Sequence, residues 1–161
     1  MLTLTLIRHG EAANPGPLGD AGRHLTAEGR RQARAAGMAL AQHGARPTHV
    51  LCSPLVRAVQ TAELVQAGLE SAVVISARAD LYPDSDFDEI AGDLVELVDT
   101  DADVVLVGHQ PYMGSAVASL LGLASPAAVP TGGVHRFRVE SLFPHRAALL
   151  GRWLGERWLA G

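Results

Sequence analysis

Leu2, Leu4 and Leu6 alternate with Thr3 and Thr5, Ile7 extends the apolar run, and the run stops at Arg8-His9-Gly10. Alternation at period two, in residues that suit a pleated surface, predicts a short buried strand. Gly10 permits a sharp exit without a Cβ penalty. Arg8 and His9 therefore fall at the carboxyl end of a strand, the edge along which open α/β sheets bind ligands. Alone, the tripeptide fits equally well a surface strand end that happens to carry a cation and an imidazole.

The same pattern alternates with helical spacing along the chain. Glycine and proline mark Ala12 to His24 as a long loop, of the kind that often binds or covers a ligand. Thr26 is an N-cap with Glu28 in the first turn. Ala33, Ala36, Gly37, Leu40 and Ala41 then line one helical face to about His43, with Gly44 as the stop. Arg30, Arg31 and Arg34 form the wet face, and His43 and His49 read as surface residues. His49–Cys52 is a second strand. Ser53 caps and Pro54 opens a helix carrying Val56, Val59, Ala62, Leu64 and Val65 to Gly68. Arg57 lies near its start, beside a helix N-terminus that favours anions. Val73–Ile75 is a third strand, and Ser85 caps a third helix with Phe87, Ile90, Ala91, Leu94, Leu97 and Val98 on its apolar face. Val104–Val107 is the clearest buried strand, followed at once by Gly108-His109-Gln110-Pro111. A helix from about Pro111 places Met113, Ala116, Val117, Leu120 and Leu121 in the core. Val134–Val139 is a strand after the Gly132-Gly133 turn. Ala147–Leu154 reads as a strand in preference to a short helix. Trp153 and Trp158 are packing or surface residues, and His135 and His145 are given no role.

This alternation predicts an α/β fold: a three-layer sandwich with a mainly parallel central sheet and helices on both faces. A chain of 161 residues suits one domain over 1–161. A formal net charge of −4 without a basic run argues against nucleic acid as a partner. The lone Cys52 allows no internal disulfide. No apolar run is long enough to cross a bilayer and no leader pattern opens the chain, so a cytoplasmic protein without a membrane partner is expected.

Three strand ends now contribute Arg8 with His9, Arg57, and His109. Two arginines, two histidines and two helix N-termini on one edge describe an anion pocket. Guanidinium forks match phosphate oxygens, and a histidine among them can serve as a nucleophile. Arg23 reads as a solvated charge or, nearly as well, as a further phosphate contact.

Arg8-His9-Gly10, Leu25-Thr26-x-Glu28-Gly29, Ser53-Pro54-x-x-Arg57-Ala58-x-Gln60-Thr61 and Val107-Gly108-His109 occur in this order over residues 1 to about 115. Together they resemble the histidine phosphatase superfamily, which includes the phosphoglycerate mutases. The short chain is similar to the small bacterial phosphohistidine phosphatase branch (SixA-like). The resemblance implies that His9 is the nucleophile that takes the phosphoryl group. It implies that Arg8, Arg57 and His109 bind the phosphoryl oxygens, with Arg23 on the phosphate side, and that neither metal nor cofactor is required. The partner would be a phosphorylated protein carrying phosphohistidine, or a small phosphate ester. Relatives acting on esters usually place a carboxylic acid at the leaving oxygen. Asp80, Asp84, Asp86 and Glu11 are candidates by location, although each also reads as a loop or cap carboxylate. Phosphohistidine expels an imidazole, which needs little acid help.

Other readings fit less well. Cys52 and Arg57 are separated by four residues, one short of the cysteine-phosphatase loop. Asp101-x-Asp103 precedes a strand, whereas an aspartate nucleophile motif ends one. The histidines lack the close pairs of a zinc site. A small-molecule phosphomonoesterase, a mutase-like enzyme and a non-catalytic phosphoprotein-binding module remain as alternatives.

Overall fold

The computed structural model describes residues 1–161. Seven strands, β1 (Leu2–Arg8), β2 (His49–Cys52), β3 (Ile75–Ala77), β4 (Asp103–Gly108), β5 (Val134–Leu142), β6 (His145–Trp153) and β7 (Trp158–Ala160), form one sheet in the order β3-β2-β4-β1-β5-β6-β7. Four helices, α1 (Ala27–Gln42), α2 (Val56–Leu69), α3 (Phe87–Leu94) and α4 (Tyr112–Leu121), complete the α/β architecture.

The sheet is mixed. β3, β2, β4 and β1 pair in parallel, whereas β5, β6 and β7 add to β1 antiparallel. The mainly parallel expectation therefore holds only for the half crossed by α1 to α4. Chain length between strands accounts for β6. A parallel return needs a crossover of a dozen or more residues, while β5 and β6 are joined by Phe143-Pro144 alone.

Both faces of the sheet are covered. Leu2, Leu4 and Leu6 of β1 join Val104 and Leu106 of β4 in a core with α3 and α4. Ile7, Val105 and Val107 face the opposite way, into a core with α1 and α2 that includes Val50 and Cys52. The period-two alternation thus divides β1 and β4 between the two cores. No helix is long and apolar enough to cross a membrane.

Several local expectations shift. Thr26 caps α1 by accepting from the Gly29 amide, as expected. α2, however, starts later, with Leu55 at its N-cap and no side-chain bond there. Asp86, not Ser85, caps α3, accepting from the Asp88 amide, and Ser85 donates instead to the Ala79 carbonyl. β3 begins at Ile75, because pairing with Val50–Cys52 selects Ile75–Ala77. The segment around Ala147–Leu154 is a strand, β6. β7 has no signal of its own; it exists because it pairs with Gly151–Trp153 and lays Trp158 over Gly151.

Candidate active site

Parallel register builds the centre of the site. Arg8 at the end of β1 lies opposite Gly108 at the end of β4. The next residues, His9 and His109, consequently leave the sheet side by side. Their ring centroids are 5.1 Å apart at 59°, and the His9 amide donates to the Gly108 carbonyl at 2.9 Å.

The turn after His9 is held from below. A Cβ on Gly10 would strike the Gly29 backbone at the start of α1, and one on Gly29 would strike Glu11. Only two glycines allow this approach of loop and helix. From α2, Thr61 Oγ1 accepts the Gly10 amide at 3.0 Å and donates to the Arg57 carbonyl at 2.7 Å. Gln60 Oε1 accepts the Leu25 amide at 2.8 Å. The spaced residues of the sequence are thus mutual props: Gly10, Leu25, Gly29, Gln60 and Thr61 fix where Arg8, His9 and Arg57 stand.

Arg8, Arg57 and Arg23 all bear on His9. Burial, above all, lowers the His9 pKa to about 4, with Arg57, Arg8 and Arg23 adding like-charge repulsion. His109 is pushed to about 3, mainly by burial and then by His9 and Arg57. Both rings are therefore neutral near pH 7. Arg57, only 4% exposed, donates through Nη1 to the Asp20 carbonyl at 3.1 Å and through Nη2 to Asp20 Oδ2 at 3.2 Å. Arg8 donates through Nη1 to the Val129 carbonyl at 3.0 Å. Arg23 donates through Nε to the Ala13 carbonyl and through Nη1 to Asp20 Oδ1. Arg8 Nε, Arg57 Nε and His109 Nδ1 are buried with no protein partner.

Hydrogen bonds select the tautomers. His9 Nδ1 lies 2.7 Å from the Gly10 carbonyl. A carbonyl only accepts, so Nδ1 carries the proton and Nε2 keeps its lone pair. His109 Nε2 lies 2.7 Å from Ser53 Oγ, which also accepts the Leu55 amide at 3.3 Å. The hydroxyl proton has no other acceptor among these bonds, so it goes to Nε2 and leaves a proton on Nδ1. His109 then offers a neutral N–H donor at its free nitrogen.

The carboxylates weighed as acids stand elsewhere. Asp80 is bound by Arg78, Asp86 caps α3, and Glu11 accepts from Thr26 Oγ1 at 2.8 Å. Asp84 and Asp86 line a separate cavity of about 350 Å³ with Tyr112 and Pro111. None of the four bonds to His9, Arg57 or His109. Cys52 is fully buried and its thiol is pushed up to about 11 by burial, then by Glu63, which suits a core residue. Sequence reasoning missed two groups. Asp20 lies in a loop with no periodic signal, and a 3-10 turn at Asp20–Gly22 folds it back. Ser53 was read as a helix cap, yet its hydroxyl turns to His109.

Residues 4–92 match the model of the histidine phosphatase superfamily, branch 1. The chain belongs to this superfamily. The matched stretch holds Arg8, His9, Arg23 and Arg57, and His109 joins them through the β1–β4 register. The fold of this histidine phosphatase superfamily member is that of the protein histidine phosphatase SixA in a tungstate complex, at TM-score 0.82 and 24% identity over 98% of this chain and 96% of that one. A structure described as a SixA phosphohistidine phosphatase, from Nakamurella multipartitia, aligns at TM-score 0.76 and 28% identity, covering 96% of each chain. The mitochondrial serine/threonine-protein phosphatase Pgam5 of Drosophila ananassae is 40% identical over 62 residues, which are 38% of this chain and 21% of that protein. The chain thus matches about a fifth of that curated relative.

Ser53→Ala is expected to lower kcat about tenfold with a smaller change in KM, because His109 loses its enforced tautomer and a hydrogen bond. Ser53→Thr keeps the hydroxyl and should recover most of the loss. A serine that merely packs would give equal values for both variants, and steady-state kinetics on the pair decides it.

Proposed function

We propose that this chain is a protein phosphohistidine phosphatase working through a phosphoryl intermediate on His9. The observation that carries the reading is that His9 and His109 stand side by side, with Arg57 and Arg8 near enough to help depress the His9 pKa, while Arg8 Nε, Arg57 Nε and His109 Nδ1 are buried without protein partners. Buried donors are normally satisfied, and phosphoryl oxygens would satisfy all three. His9 Nε2, the ring's free lone pair, attacks phosphorus. The substrate's P–N bond breaks, and its electron pair leaves on the imidazole, which picks up a proton from solvent. Water then attacks phospho-His9, releasing inorganic phosphate and the neutral ring. Arg8, Arg57 and His109 hold the equatorial oxygens, where preorganised donors act on developing charge. Arg23 stands on the rim, tied to the loop by Ala13 and Asp20.

Two features support phosphohistidine over a phosphate ester. None of the candidate carboxylates is hydrogen-bonded to the histidines, and an imidazole leaves with the least help from an acid. The exposed Asn14–Ala21 loop meets Arg57 through Asp20, and such an open border suits a phosphorylated side chain on another protein better than a metabolite needing enclosure. The arginines supply the positive charge that a metal would otherwise bring.

The test is kcat/KM for a phosphohistidine peptide, a phosphoserine peptide and 3-phosphoglycerate, each with and without chelator. The phosphohistidine peptide should lead, and chelator should change nothing. Asp80→Asn, Asp84→Asn and Asp86→Asn should leave the phosphohistidine rate intact. A faster ester, or loss of phosphohistidine turnover in any of these variants, would make a general phosphomonoesterase the better reading. Loss with chelator and recovery with magnesium or zinc would overturn metal independence.

A further inference from the structure

The loop between β1 and α1 brings a carboxylate onto the very arginines that ring His9. Asp20 engages Arg57 twice, through its carbonyl and Oδ2, and meets Arg23 through Oδ1. Its carboxyl pKa is lowered, first by the hydrogen bond from Arg23, so it is an anion at neutral pH. A proton donor to a leaving group it is not.

His9 is 6% exposed and His109 1%. The surface cavities of the molecule lie elsewhere, and none is lined by Arg8, His9, Arg57 or His109.

The loop tip is otherwise lightly held. Residues 14–21 are all exposed, and the Asp20–Gly22 turn buries nothing. The base is fixed: the Ala13 amide donates to the His24 carbonyl at 2.8 Å, and Ala12 bridges to Leu25. A tip with almost no buried contact opens at low cost, so the ionic contacts to Arg57 and Arg23 are its principal tether.

We infer that Asp20 is an internal competitor for the phosphoryl group: its carboxylate occupies the arginines at rest and must be displaced by the phosphoryl oxygens. This deepens the phosphatase reading and rests on it. The carboxylate and a phosphoryl dianion are like charges seeking the same forks, and Arg57 Nη2 and Arg23 Nη1, which the carboxylate holds, cannot serve both fully. Asp20 thereby sets how tightly the pocket holds phosphate, the product as well as the substrate group. It favours release of inorganic phosphate and reserves the pocket for substrates that bring further contacts with the rim.

Asp20→Asn tests this, since it keeps the shape and removes the charge. Titration calorimetry with inorganic phosphate on the full chain should show Kd lowered about tenfold relative to wild type, a modest factor because the carboxylate is solvent-exposed. KM for a phosphohistidine peptide should fall in the same direction. Asp20→Ala, which also removes the side-chain acceptor, should bind phosphate at least as tightly as Asp20→Asn. Unchanged or weaker phosphate binding in both variants would overturn the inference, the weaker result marking Asp20 as a residue that positions Arg57. Wild type and Arg57→Ala separate the two levels of the argument. If wild type binds phosphate and Arg57→Ala does not, but the Asp20 variants bind no tighter, competition alone fails. If no protein binds phosphate, the pocket reading fails and competition with it.

Discussion

Turnover should vanish in His9→Ala, by a factor of about a thousand or more, while the protein stays folded. The size of the effect follows from the pathway. Without the Nε2 lone pair no covalent intermediate forms, and the remaining donors can only stabilise direct attack by water. Stability should change little. The His9 ring makes one hydrogen bond, to the Gly10 carbonyl. Two measurements check the expectation: acid-labile trapping of labelled phosphate on wild type but not on the variant, and superimposable thermal unfolding curves. A variant that keeps wild-type activity would exclude the covalent route.

The second large effect concerns stability, at the opposite end of β4 from His109. Asp103 accepts from Arg136 Nη1 at 3.1 Å and Nη2 at 3.0 Å, and from the Arg46 amide at 2.8 Å. Arg136 also donates to Thr5 Oγ1 at 3.1 Å. The two side chains are only 10% and 8% exposed. Asp103→Ala leaves a buried guanidinium without a counter-charge and an amide without an acceptor, so a loss of about 3–5 kcal/mol is expected. That is a large part of the roughly 5–15 kcal/mol that holds an ordinary domain together. Pairing Asp103→Leu with Arg136→Met removes both charges and should restore most of the loss. Urea denaturation of the single and double variants measures this, and a single-variant loss below about 1 kcal/mol would mean the pair is solvated. Activity per folded molecule should be unchanged, because the pair does not touch the phosphate pocket.

Asp103 also shows what spacing conveys. Asp101-x-Asp103 lies at the start of its strand rather than at the end of one, unlike an aspartate nucleophile motif, and Asp103 instead pairs with Arg136. Arg136 could not be named as that partner from the sequence, since 33 residues separate them.

The chain alone dictates the elements whose cause is local. Period-two alternation produced β1 and an unbroken apolar run produced β4, small residues at helical spacing produced α1, and Thr26 capped it through its own neighbours. It also determined the order of chemistry along the chain, because Arg8, His9, Arg57 and His109 each follow an apolar run that ends in a turn. Features that depend on pairing between distant segments arise only on folding. Register between β1 and β4 set His9 beside His109. Long-range pairing laid β5 antiparallel on β1, and short returns then added β6 and β7, the latter from a segment without its own pattern. Ser53 turned from a helix cap to a histidine because α2 begins at Val56, and Asp20 reached Arg57 because a glycine-rich loop folded back. A lone carboxylate or hydroxyl has no period, and its partner is chosen only when the chain closes on itself.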